Sequence, residues 1–247
     1  SKFIAISDNP EFVYLQSCTT RLMGKRETHQ ISLPEIIYVL CNRANINVHI
    51  PNASGQCCGM MWESKGVSEA EAISVEKLYY FLKKESKDFT LPILIDSSTC
   101  FIHACNSILE YHKMIHSLSD KPHFMDISDF LMNYIAPKLP PKNKHKKVAL
   151  HIPCSLVKSS LSNTMINIAK EYSEEVIIPE FSGCCGFAGD KGFSVPELSL
   201  SATKRSKEEL QAMALDGFYS SNTTCEIGMS DNSLTCHSLA YLLYETT

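Results

Sequence analysis

Four short apolar runs punctuate the chain, at Phe12-Val13-Tyr14-Leu15, Ile93-Leu94-Ile95, Val148-Ala149-Leu150-His151-Ile152 and Gly217-Phe218-Tyr219. Runs of this length, bounded by polar or turn-forming residues, have the pattern of strands buried on both faces. Between them, apolar residues recur at helical spacing. Ser32-Leu33-Pro34-Glu35 has the form of a capping box, and Ile36, Ile37, Leu40 and Cys41 continue it as an apolar stripe. The same periodicity predicts helices over 69–85, 102–116, 126–136, 159–172, 196–214 and 235–244. Strands alternating with helices predict an α/β fold built on parallel sheets with covering helices.

The pattern runs through twice. It therefore predicts two pseudo-symmetric lobes, each with a small parallel sheet flanked by helices, over residues 1–136 and 148–247. The Pro- and Lys-rich segment between them, residues 137–147, reads as an exposed linker. At 247 residues and 44% hydrophobic content, the chain can bury one substantial core or two modest ones. The net charge of −4 gives no overall basic field, so no nucleic-acid partner is expected. The lysines of 137–147 leave a peripheral contact with anionic lipid as the alternative to a plain solvated connection. No run approaches the ~20 apolar residues of a membrane span, and the first residues carry no apolar stretch of signal length. A cytoplasmic chain with reduced thiols, peripheral at most to the inner face of a membrane, is the expectation. It opens on Ser1 rather than Met, and reads as part of something longer.

The chemistry lies in the cysteines. Cys-Cys-Gly occurs at Cys57-Cys58-Gly59 and again at Cys184-Cys185-Gly186, where the 11 Cys and 10 Gly present would give it by chance roughly 0.02 times. Each copy has one cysteine upstream and one downstream. Cys18 precedes the first pair by 38 residues, and 40 separate Gly59 from Cys100. Cys154 precedes the second by 29, and 38 separate Gly186 from Cys225. Four thiolates satisfy an iron–sulfur cubane and a tetrahedral zinc equally well, so spacing leaves the metal open. Adjacent cysteines reach one centre only from a loop, and the glycine lets the backbone bend close to it. The strand runs lead directly into Cys18, Cys100, Cys154 and Cys225, which puts these at carboxyl ends of strands, where ligands gather in such sheets. Helix N-termini there favour anionic thiolates.

Cys, then Cys-Cys-Gly, then Cys, repeated twice, resembles the cysteine-rich CCG domain of the heterodisulfide reductase B subunit, the glycolate oxidase iron–sulfur subunit and lactate-utilisation proteins. The wording "YLQSCTTRLMG", "QCCGMMWESKG", "LHIPCS", "SGCCGFAGDKGF" and "SNTTCEIGMS" is most similar to the C-terminal portion of FAD-linked D-lactate dehydrogenases. The resemblance implies one ligand set of Cys18, Cys57, Cys58 and Cys100 and another of Cys154, Cys184, Cys185 and Cys225. The cofactor it implies is a 4Fe-4S cluster, with zinc as the alternative in one lobe. Members holding a five-thiolate cluster close the motif with Cys-x-x-Cys, but here that position is His103 in the first half and Gly228 in the second. His103, three residues past Cys100, is a further candidate ligand.

Cys41, Cys105 and Cys236 are expected to pack, and His151 and His237 to be structural or exposed. "GFAGDKG" follows the second cysteine pair and is explained as its loop, so no dinucleotide fingerprint remains, and neither a Gly-x-Ser-x-Gly nor a His-Glu-x-x-His motif occurs. The expectation is therefore an electron-transfer module that is not catalytic alone. It would take electrons from FAD on a partner domain or subunit that oxidises a D-lactate-type hydroxy acid, and pass them to a quinone or cytochrome. The alternatives are a structural zinc module and a thiol–disulfide reductase of the heterodisulfide type.

Overall fold

A computed structural model describes residues 3–23, 31–115 and 121–247. Its first half runs β1 (Phe12–Leu15), α1 (Cys18–Met23), α2 (Leu33–Arg43), β2 (Val48–His49), α3 (Met60–Glu63), α4 (Ser68–Glu85), β3 (Ile93–Ile95) and α5 (Ser98–His103). A π-helical turn, Ala104–Ile108, carries α5 into α6 (Leu109–Ile115); β4 (Phe124–Asp126) and α7 (Ile127–Phe130) follow, with a second π turn at Leu131–Ile135. The second half repeats the order: β5 (His145–Leu150), α8 (Cys154–Lys158), α9 (Ser162–Tyr172), β6 (Ser173–Ile177), α10 (Lys191–Ser194), α11 (Pro196–Gln211), β7 (Gly217–Ser220), α12 (Thr223–Met229), β8 (His237–Ser238) and α13 (Leu239–Thr246).

The strands form two four-stranded sheets, ordered β2-β1-β3-β4 and β6-β5-β7-β8, with every pairing parallel. Both have the same topology, so the repeat in the sequence is a repeat in the fold. Local chemistry explains the helices. Glu35 accepts from the Ser32 backbone N–H at 2.7 Å, closing the start of α2. In α4, Val75, Leu78, Tyr79 and Leu82 give a buried stripe at helical spacing.

The two lobes share a core. Phe12, Tyr14, Leu40 and Phe130 of the first pack in one buried cluster with Val148, Leu150, Ile168 and Leu242 of the second. α13 lies against both α2 and α9. Each such side chain contributes about 1.5–3 kcal/mol when fully buried, so this shared cluster holds the two halves together. Two smaller clusters fill the outer faces, one under α4 and the π turn, the other under β7 and α12.

Several boundaries differ from those expected. β5 begins at His145, so the last three residues of the 137–147 connection belong to the second sheet; the backbone N–H groups of Lys146 and Lys147 both donate to Asp216. The helix expected over 159–172 begins only at Ser162, as α9; Ser160, with φ +62°, separates it from α8, which ends at Lys158. The stretch 235–244 opens as strand β8 before α13 begins, because His237 and Ser238 pair with β7. The last residue of the 102–116 helix lies outside the described residues.

Candidate functional site

Both sheets have a switch point. The chain leaves the central strand β1 (or β5) to one side and returns to the other, so the loops after β1 and β3, and after β5 and β7, diverge and open a crevice at the carboxyl edge. Cys18 and Cys154 begin the helices that follow the first strand of each sheet, and Cys100 and Cys225 lie in the first turn of those that follow the third. The Cys-Cys pairs enter the same crevices from the loops after edge strands β2 and β6. The structure thus brings together each of the two cysteine sets expected.

Asp96 positions the first lobe. Buried at the end of β3, it accepts from the Tyr14 hydroxyl at 2.6 Å and the Ser17 N–H at 2.9 Å, tying the Cys18 loop to the neighbouring strand. Arg21 donates to the carbonyl oxygens of Gln16 and Gln56, joining that loop to the one carrying the pair. Gly59 takes φ +96° and Gly186 φ +70°, the left-handed region glycine adopts without strain. At Gly186 nothing larger fits, since a Cβ would lie 2.7 Å from the Leu198 carbonyl oxygen and 2.9 Å from Ala202. Those turns aim the Gly59 and Gly186 N–H groups at Cys57 and Cys184 sulfur, at 3.5 and 3.4 Å.

Thiols facing one another share protons unequally. Cys57 is held well below the ordinary thiol range, first by the Cys18 thiol and then by Cys58; Cys18 is raised in return, first by that hydrogen bond and then by burial. Cys58 is raised by its hydrogen bonds with Cys100 and Cys57 and by burial. In the second lobe Cys185 and Cys225 sulfurs lie 3.2 Å apart. The Cys225 thiol, with His151 adding to it, holds Cys185 down at about 5 against the opposing effect of burial. Burial raises Cys184. Asn222 donates to Cys225 sulfur at 3.3 Å.

The sites face each other across the lobe interface, and each lobe covers the other's thiols. A cleft of about 540 Å³ contains Cys154, Cys184, Cys185 and Cys225 on one side and Met60, Glu63, Lys65 and His103 on the other. A smaller space of about 80 Å³ is bounded by Cys18, Cys57, Cys58 and Cys100 and roofed by Gly189, Asp190 and Phe193 from the second lobe. Lys65 and Asp190 join the two covers in an ion pair at 2.6 Å.

His103 does not turn to the thiols. It is buried with Nδ1 3.1 Å from Glu63 and Nε2 3.3 Å from Ser107 and 3.6 Å from Glu71. Cys41 and Cys236 are fully buried in apolar clusters, and Cys105 packs half-buried against another; burial pushes Cys41 up to about 12 and Cys105 to about 11. His237 packs at a tilt between the rings of Tyr219 and Tyr241. His151, expected to be structural or exposed, is buried at 1% exposure, and its ring lies with Cys185 and Cys225. Aligning the halves on their cysteines would have exposed it, because it replaces Leu15 at an otherwise apolar strand end.

A donor set of four convergent sulfurs in each lobe, with an N–H group on one sulfur of the first set and on two of the second, fits a thiolate-bound iron–sulfur cluster or zinc. The cysteine-rich domain family CCG matches the chain twice, over residues 12–103 and 148–230. Among solved structures, the chain is similar to an aspartate racemase homologue from Pyrococcus horikoshii OT3, at 9% identity and a TM-score of 0.36 over 95% of this chain and 96% of that one.

Proposed function

The chain belongs to the cysteine-rich CCG domain family, and from that premise we propose that it is the electron-transfer module of a FAD-linked oxidoreductase acting on a D-lactate-type hydroxy acid. One observation carries the reading: two sets of four cysteines, at the switch points of two like sheets, face each other across a shared interface. Bound there, iron–sulfur clusters would supply one-electron chemistry. Cys18, Cys57, Cys58 and Cys100 would hold the first and Cys154, Cys184, Cys185 and Cys225 the second. This chain's part is to set their electrostatics. The Gly59, Gly186 and Asn222 N–H groups aimed at sulfur stabilise negative charge, and burial of Cys58, Cys185 and Cys225 keeps solvent from one side of each set.

Access differs between the lobes. Cys154 and Cys184 are exposed in the open cleft, whereas the first set is roofed, so electrons exchange with outside partners most directly through the second lobe. The proposed donor is a FAD domain of the same longer chain or of a partner subunit, and the proposed acceptor a quinone or cytochrome. Among the described residues no helix is long and apolar enough to cross a membrane.

Anaerobic purification followed by iron, sulfide and zinc analysis tests the reading. Iron and acid-labile sulfide with broad visible absorption that dithionite bleaches are expected. A colourless chain carrying zinc in both lobes would replace the relay with a structural zinc module.

A further inference from the structure

The two cysteine sets are not equivalent, and the difference lies in two histidines. Three residues past the last cysteine of its set, the first lobe has His103 and the second Gly228; three residues before the first cysteine of its set, the first lobe has Leu15 and the second His151. Leu15 lies beside Cys18, Cys57, Cys58 and Cys100 in the first lobe, so this strand-end position faces the thiols. His151 occupies the same position in the second. Its backbone N–H donates to the Tyr219 carbonyl at 2.9 Å, which fixes it beside the β7 end that leads to Cys225.

We infer that His151 is a metal ligand of the second-lobe centre, together with Cys185 and Cys225; the inference rests on the proposal that each lobe binds a metal centre. A ring nitrogen of His151 and the sulfurs of Cys185 and Cys225 all lie within 4.8 Å of one another. Three donors that close converge on a single metal ion. The imidazole is 1% exposed and neither ring nitrogen reaches an oxygen or nitrogen partner; the polar group that acts on it is the Cys185 thiol, and a buried imidazole so placed destabilises a fold unless a stronger partner is supplied. A metal would be that partner. Gly228 offers no side chain to the centre, and a Cβ there would crowd Ser199 Oγ at 2.8 Å and the Cys185 carbonyl oxygen at 3.2 Å. Cys154 and Cys184, at the cleft, remain to complete the set.

X-ray absorption at the edge of the retained metal tests this in the full chain carrying Cys57→Ser and Cys58→Ser, which empties the first lobe. One arm is loaded with iron and sulfide under anaerobic conditions and the other with zinc. The expected spectrum has one imidazole nitrogen at about 2.0–2.1 Å beside sulfurs at about 2.3 Å. Adding His151→Leu should remove the nitrogen and weaken metal retention by at least about 10-fold, while His151→Cys should restore retention with sulfur alone. Sulfur-only coordination in the chain that keeps His151 would overturn the inference and leave the metal-centre reading standing. Absence of metal under both loadings would overturn both. The spectrum of the chain with His151 decides the matter even where His151→Leu does not fold.

Discussion

Ser97 and Asn222 stand at equivalent positions, three residues before the last cysteine of each set, and they hydrogen-bond to each other at 2.6 Å. The bond lies where the lobes meet. Around it Ser98 meets Ser155 at 2.6 Å and Thr20 meets Thr223 at 3.2 Å, again pairing the loops of one crevice with those of the other. Asn222 also donates to Cys225 sulfur, so the contact between lobes reaches a candidate ligand directly. Removing the Ser97 hydroxyl leaves the buried Asn222 carbonyl without its donor. Ser97→Ala should destabilise the metal-free chain by about 1–3 kcal/mol, measured by urea unfolding; a change below about 0.5 kcal/mol would show that the pairing is incidental.

Each lobe has its own cysteine set, and loss of one should spare the other. Cys58→Ser should empty the first centre and Cys185→Ser the second, each halving the metal content of the loaded chain. Equal loss from both lobes in either variant would point to one shared centre.

Glycine at the turn after the second pair is required by space as well as by φ. Gly186→Ala forces a Cβ against the Leu198 carbonyl, Ser199 and Ala202, whereas Gly66, with φ +70°, has open space around it. Gly66→Ala should cost only the left-handed strain of about 1–2 kcal/mol, and Gly186→Ala more than that, with loss of second-lobe metal. Equal unfolding midpoints for the two variants would remove the steric role.

Asp126 predicts a pH dependence. It is fully buried at the end of β4, one oxygen caps Ser128 N–H at 2.8 Å and the other has no hydrogen bond; burial pushes its carboxyl up to about 7. The native state therefore binds this proton more tightly than the unfolded chain. The stability this adds is fully present below the unfolded pKa of about 3.9 and is lost as pH rises through 7. Asp126→Asn keeps the capping oxygen and cannot ionise. The difference between the two stability curves of the metal-free chain should grow in favour of the Asn variant from about pH 4 to pH 7; a flat difference would show that Asp126 titrates normally.

The relay proposal places substrate oxidation on a flavin domain. Loaded with its centres, this chain alone should not reduce an artificial dye with D-lactate, and should accept electrons once the flavin domain is supplied. Turnover by the chain alone, with no flavin detectable, would demand a catalytic site elsewhere in it.

What could be read from the sequence follows from burial. The four apolar runs are the two central strands of each sheet, β1, β3, β5 and β7, covered on both faces and so continuous in hydrophobicity. The edge strands β2, β4, β6 and β8 went unread. β2 and β8 are two residues long and β6 is mostly polar, so pairing to a neighbour, not local pattern, makes them strands. The eight cysteines of the two sets were legible because a repeat is a local pattern used twice. The roles of the histidines were not. His103 sits at helical spacing from Cys100, yet its nitrogens turn to Glu63 and Glu71, residues brought in from α3 and α4. His151 read as one more strand residue until β5 and β7 were laid side by side, which set its ring against Cys185 and Cys225. The Ser97–Asn222 bond spans 125 residues and depends on how two lobes pack. Sequence spacing specifies which groups share a helix face or a loop; only the packing of one sheet against another decides which side chains meet across the space between them.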